Sequence, residues 1–147
     1  MGLYLEEFEI GKVIKSQSRT ITEADIVNFA GISGDWNPLH TDATFAEGTP
    51  FGKRIAHGAL GVAIATGLSN LTGVFEGTTI AFMELTVKYR NPIFIGDTIH
   101  LEMVPTEHIF KKPGKGILKM TANIVNQDGV LVTEMPWTIM MKTKRTE

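Results

Sequence analysis

Apolar and polar positions divide the chain into two textures, with helical periodicity before about residue 72 and strand-like runs after about residue 78. Thr22-Glu23-Ala24-Asp25 reads as a helix start, with a hydroxyl N-cap and acids in the first turn. Ile26, Val27, Phe29 and Ala30 supply its apolar stripe, which Gly31 and Gly34 stop. Asp42 caps a second, short helical turn carrying Phe45 before Gly48-Thr49-Pro50-Phe51-Gly52 breaks the chain. His57 to Leu71 is the longest helical signal. Leu60, Ile64 and Leu68 form a large ridge, while Ala59, Ala63, Gly67 and Gly61, Ala65, Ser69 form two rows of small residues. A helix apolar nearly all round predicts a buried central element wrapped by others. The small rows let backbones approach it closely, despite a glycine cost of about 1 kcal/mol each.

Beyond Thr78 the β-branched and aromatic runs predict four strands, roughly Thr79 to Arg90, Thr98 to Phe110, Gly116 to Asn126 and Val130 to Lys142. Asn91-Pro92, Gly96-Asp97, Lys112-Pro113-Gly114 and Gln127-Asp128-Gly129 separate them. Phe8 to Thr20 reads as a turn followed by a polar-rich strand, which makes about five. Along Ile117 to Asn126 one alternate face is clearly more apolar, so the sheet is expected to be antiparallel with one buried face. Strands after helices give an α+β layer architecture in which the sheet wraps the central helix.

Composition narrows the chemistry. At 147 residues and 43% hydrophobic, the chain has the size and apolar content of one ordinary domain. A formal net charge of −2 with no long run of either sign argues against a nucleic-acid binder or a polybasic membrane anchor. There is no cysteine, which excludes disulfides, thiolate–metal sites and a cysteine nucleophile. Four histidines, His40, His57, His100 and His108, have no ligand-type spacing, so no metal is expected. Met1 to Glu7 carries acids where a signal peptide would be basic, and no apolar run reaches about 18 residues. The expectation is a soluble, cytoplasmic protein that does not enter a membrane.

The candidate chemistry sits in Ser33-Gly34-Asp35-Trp36-Asn37-Pro38-Leu39-His40-Thr41-Asp42, read as a rigid connection that is not regular helix. Asp35 and His40, five residues apart, have two readings. They are turn and packing residues, or a pair that holds and polarises one water. Which would be base and which acid is left open. Gly58, at the start of the central helix, likewise has two readings: a helix entrance, or a backbone N–H donor to an enolate oxygen. Gly31-Ile32-Ser33-Gly34-Asp35 lacks the last glycine of a nucleophile elbow, and the other glycine clusters do not follow a strand in a βαβ unit.

Ser33 to His40, followed by Phe51-Gly52-Lys53-Arg54-Ile55-Ala56-His57-Gly58, Asn91-Pro92-Ile93-Phe94-Ile95-Gly96-Asp97-Thr98 and Asn126-Gln127-Asp128-Gly129, closely resembles the MaoC-like dehydratase, or (R)-specific enoyl-CoA hydratase, family. The likeness covers almost the whole chain. It implies a single hot-dog domain over residues 1–147, a homodimer, and reversible hydration of a trans-2-enoyl-CoA to the (R)-3-hydroxyacyl-CoA without a cofactor. Position by position it implies Asp35 and His40 as the catalytic pair, Gly58 as donor to the thioester oxygen, and Asn37 as loop support. Thr66 falls where some members carry a serine near the site, and equally reads as a satisfied helix hydroxyl. Trp36 replaces the usual phenylalanine, which is expected to reshape the acyl pocket. Lys53-Arg54 stands where a residue followed by proline is more common. Lys53, Arg54, Lys88 and Arg90 each read either as contacts to the phosphates of CoA or as solvated charge. Alternative readings are a branched, dicarboxylic or carrier-protein-linked acyl thioester as substrate, a non-catalytic acyl-CoA-binding module, or a thioesterase.

Overall fold

A computed structural model describes residues 1–146. A short 3-10 turn (Leu5–Glu7) precedes two two-residue strands, β1 (Ile14–Lys15) and β2 (Arg19–Thr20). Three helices follow, α1 (Glu23–Ser33), α2 (Pro38–Thr41) and α3 (Ala43–Glu47), and then the long helix α4 (Gly58–Leu71). The rest is strand: β3 (Thr79–Leu85), β4 (Lys88–Tyr89), β5 (Thr98–Lys112), β6 (Lys115–Val125) and β7 (Leu131–Lys142). All pairings are antiparallel. The sheet order is β1-β5-β6-β7-β3, with β2 also on β5 and β4 also on β7.

Seven strands replace the expected five because two of the predicted runs are interrupted. The N-terminal run splits where Ser16 leaves the ladder, its amide donating to the Leu101 carbonyl and its hydroxyl accepting from the Leu101 amide. The Thr79 to Arg90 run splits at Thr86-Val87, after a register shift between Phe82 and Glu84 in its pairing to β7. The long hairpins β5–β6–β7 are antiparallel with one buried face, as predicted, and that inner face presents Leu101, Met103, Leu118, Met120, Ile124, Met135 and Ile139, all fully buried.

Helix α4 lies on that face. Leu60, Ile64 and Leu68 are buried, as are Gly61, Ala65 and Ser69 of one small row. A methyl at Gly61 would come within 3.2 Å of Ile93 in the segment before β5 and 3.7 Å of Ile124 on the sheet, so these neighbours leave little room at this position. Burying each large side chain contributes about 1.5–3 kcal/mol. The other small row, Ala59, Ala63 and Gly67, is exposed together with Thr66 and Asn70. The helix is therefore wrapped on one side only, which corrects the expectation of burial all round. The two rows have nearly the same composition, and only the sheet's position distinguishes them.

Helix α1 begins as predicted, with the Thr22 hydroxyl accepting from the Asp25 amide while the Asp25 carboxylate accepts from the Thr22 amide. Gly31 does not stop it. It ends at Gly34, whose φ of 75° is the left-handed cap conformation that glycine adopts without strain. Arg19 closes the same corner from β2, 2.6 Å from Asp25. Burial alone pushes the Asp25 carboxyl up, but the Thr22 amide and the Arg19 guanidinium outweigh it and hold the group below the usual carboxylate range.

Candidate active site

The connection from α1 to α2 is built from short-range turns. The Ser33 hydroxyl donates to the Phe29 carbonyl at 2.7 Å and accepts from the Asp35 amide at 3.1 Å. The Asp35 carboxylate accepts from the Asn37 amide at 3.2 Å, and the Asn37 side chain accepts from the Leu39 amide at 3.0 Å. That last bond makes Asn37 the N-cap of α2, with Pro38 at the first helical position, where its missing N–H costs nothing. His40 thus stands on one helical turn, not in an irregular loop as expected: Pro38 starts this helix instead of preventing it. The Thr41 hydroxyl ties the turn to the Trp36 and Asn37 carbonyls.

The segment before α4 meets this turn. Ile55 pairs with Phe94, the Ala56 amide donates to the Ile93 carbonyl at 2.8 Å, and the Ile55 carbonyl accepts from His40 Nδ1 at 2.7 Å. A carbonyl can only accept, so Nδ1 carries the proton and Nε2 of the neutral ring presents a lone pair. His57 caps the start of α4. Its Nε2–H donates to the Asp35 carbonyl at 2.9 Å, and its ring stacks on His40 with centroids 3.9 Å apart and planes 29° apart. Phe29 packs against His57 at 4.9 Å. Both histidines are buried and Asp35 is exposed.

One ligating atom from each of Asp35, His40 and His57 falls within 4.8 Å of the others. A water hydrogen-bonded at about 2.8 Å to two groups spans separations up to roughly 5.6 Å, so a carboxylate oxygen of Asp35 and one ring nitrogen of His40 lie within the span of a single water. A metal fits this trio poorly. Imidazole lone pairs lie in the ring plane, and nearly parallel stacked rings do not aim theirs at one point about 2 Å from each.

Beside His40 and His57 opens a pocket of about 310 Å³ whose lining includes Gly58, Phe51, Tyr89, Arg90 and Ile93. Leu60 and Gly61 donate their amides to the His57 carbonyl, and no side chain caps the helix start. Among the described residues, the Gly58 and Ala59 amides are left without an acceptor at the positive end of α4. The phenol of Tyr89 lies over Gly58, where a side-chain carbon would fall 2.5 to 2.7 Å from it. A methyl here would take space that the ring occupies, so any larger residue must displace Tyr89.

The other predicted positions are scattered. Trp36 is 54% exposed and does not line the pocket. Thr66 lines a separate hollow of about 220 Å³ with Ser69, Phe82 and Trp137, and its hydroxyl donates to the Ala63 carbonyl. It sits eight residues along α4 from Gly58, about 12 Å of axial rise, which separates the two cavities. Arg54 is largely buried and paired with Glu23. Lys53 lies over the Phe94 ring at 4.3 Å. Arg90 lines the main pocket and reaches Glu134 at 2.9 Å. Lys88 pairs in the ladder with Glu134 outside that pocket. The reading of the sequence missed His57 and Tyr89 as site residues. Each adjoins a residue singled out for the site, His57 before Gly58 and Tyr89 before Arg90.

A family model described as "MaoC like domain" matches residues 7–129. The chain belongs to that family. Among curated relatives, it is 36% identical to the "3-hydroxybutyryl-CoA dehydratase" of Methylorubrum extorquens over 73% of this chain and 66% of that protein. It is 31% identical to the "(R)-specific enoyl-CoA hydratase" of Aeromonas caviae over 86% of this chain and 90% of that protein. The chain thus spans slightly less than two thirds of the Methylorubrum relative's length. A solved structure titled "Monoamine oxidase regulatory protein", from Archaeoglobus, superposes with a TM-score of 0.90 at 34% identity, covering 97% of this chain and 96% of that one. The α+β architecture of this MaoC-like chain is a single hot-dog fold.

Proposed function

We propose that this MaoC-like chain is a hydro-lyase that reversibly adds water to a trans-2-enoyl-CoA, giving the (R)-3-hydroxyacyl-CoA. The observation that carries the reading is a carboxylate and an imidazole within reach of one water, beside a helix N-terminus with two free amides. The thioester carbonyl accepts from the Gly58 amide, which stabilises the enolate as charge develops. Water held between Asp35 and His40 forms the bond to C3. One of its protons passes to an acceptor of the pair, the carboxylate or His40 Nε2, and a proton is returned to C2 on the same face. The dehydration direction reverses each step. Names of relatives as hydratases and dehydratases support this class of chemistry.

Arg90 is the basic residue best placed for the CoA phosphates, since it lines the pocket beside its pairing to Glu134, whereas Arg54 does not line it. The chain is proposed to act as a homodimer, joined along β3. That strand uses one edge to pair with β7 and leaves Ile80, Phe82, Met83 and Leu85 exposed. The test is turnover of trans-2-enoyl-CoA substrates by the wild type, Asp35→Asn and His40→Gln. Loss of about 10²-fold or more in kcat in folded variants is expected, and near wild-type rates would sink the assignment.

A further inference from the structure

We infer that His57 is a positioning residue for this reaction, holding Asp35 in register with His40; the inference rests on the hydratase reading above. Among the described residues, the other hydrogen bonds of Asp35 are to its neighbours. Its amide and carboxylate bond to Ser33 and Asn37, each two residues away, and those bonds move with the connection as a unit. The long-range tie is the His57 Nε2–H to the Asp35 carbonyl, across 22 residues. The same ring stacks on His40, so one side chain touches the acid's backbone on one side and the imidazole's face on the other. His57 also directly precedes Gly58, and its carbonyl accepts the Leu60 and Gly61 amides that begin the ladder of α4. The carboxylate, the imidazole and the donor amide are therefore referenced to one residue.

Packing alone does not account for a histidine here. The residue is 2% exposed, and its buried Nδ1 has no hydrogen-bond partner among the described residues. An unmatched buried acceptor is costly, and phenylalanine or leucine would fill the volume without one. What histidine adds is the Nε2–H. A displacement of about 1 Å in a reacting group lowers rates by about 10²-fold, so losing the tie should appear in turnover more than in binding.

The test compares His57→Phe, which keeps an aromatic ring and removes the donor, with His57→Gln, whose amide can donate to the same carbonyl. In folded His57→Phe, kcat is expected to fall about 30-fold or more while KM stays within about threefold, and His57→Gln should recover much of the loss. His57→Phe with wild-type kcat, or a Gln variant no better than the Phe variant, overturns the proposal. A measurement on the wild type decides the case even where variants do not fold. In ¹⁵N-histidine NMR, His57 should carry its proton at Nε2 and His40 at Nδ1. A His57 proton at Nδ1 breaks the tie to Asp35 and rejects the proposal. If the wild type turns over no enoyl thioester, the hydratase reading fails, while the tautomer still reports whether the tie exists.

Discussion

One methyl group on Gly58 separates substrate access from fold stability. In Gly58→Ala the new carbon falls 2.5 Å from Tyr89 Cζ, 2.6 Å from Cε1 and 2.7 Å from the hydroxyl. Carbon contacts settle near 3.5–4.0 Å, so the ring must retreat by about 1 Å or more. Overpacking in a core costs typically 1–3 kcal/mol, but Tyr89 is 58% exposed on a two-residue strand and its far end can swing outward. Gly58 has no positive φ, and alanine returns up to about 1 kcal/mol of helix propensity. The net stability change should stay within about 1 kcal/mol, a shift of roughly 2–4 °C in Tm for a domain of this size. Activity should respond differently. The methyl and the displaced ring crowd the approach to the Gly58 amide, and losing one such donor lowers rates by about 10²–10³-fold. Crotonyl-CoA loss, followed by absorbance, and thermal unfolding of the same samples give both numbers. In Gly58→Ala/Tyr89→Ala the ring is gone, so stability should return to that of Tyr89→Ala while activity stays low. Full activity in Gly58→Ala would refute the role of the amide, and recovery in the double variant would show that glycine serves Tyr89 rather than substrate.

Other consequences are as direct. Asp25 has its carboxyl held low in the fold, so its ionised form contributes stability above about pH 4 that is lost as pH falls through the lowered value. Asp25→Asn should destabilise at pH 7, and urea titrations should show the gap to wild type closing below about pH 4. Arg90→Ala should raise KM for CoA thioesters with kcat little changed, and Arg54→Ala should leave KM alone, because Arg90 lines the pocket and Arg54 does not. Gly116→Ala places a carbon 2.3 Å from Leu5 and 3.0 Å from the Ile109 carbonyl between paired strands, so it should cost about 1–3 kcal/mol in denaturant unfolding.

What the sequence made legible was whatever local rules govern. Thr22 and Asp25 mark the start of α1, and the turn residues between β5, β6 and β7 fix hairpins whose alternation points one face inward. Asp35, His40 and Gly58 were singled out by chemistry and by resemblance; Asp35 lies near His40, and His40 and Gly58 line one pocket whose lining does not include Asp35. The failures have a common physical origin. Pro38 was weighed as a breaker when its neighbour Asn37 makes it a helix start. The exposed row Ala59, Ala63 and Gly67 looks like the buried row because small residues carry little polarity signal. Resemblance suggested Thr66 for the site, but it lies about 12 Å along α4 from Gly58 and lines a different hollow. His57 and Tyr89 act through contacts spanning 22 and 31 residues, which no local pattern encodes.

The account's central claim is that one water, held by Asp35 and His40, adds to C3 while the proton enters C2 from the same face. Hydration of crotonyl-CoA in deuterium oxide, with the product's configuration resolved at both carbons, tests it most directly. A single (R)-3-hydroxy product with syn-added deuterium is predicted. An (S) or anti product, or release of free CoA instead of hydration, would contradict it.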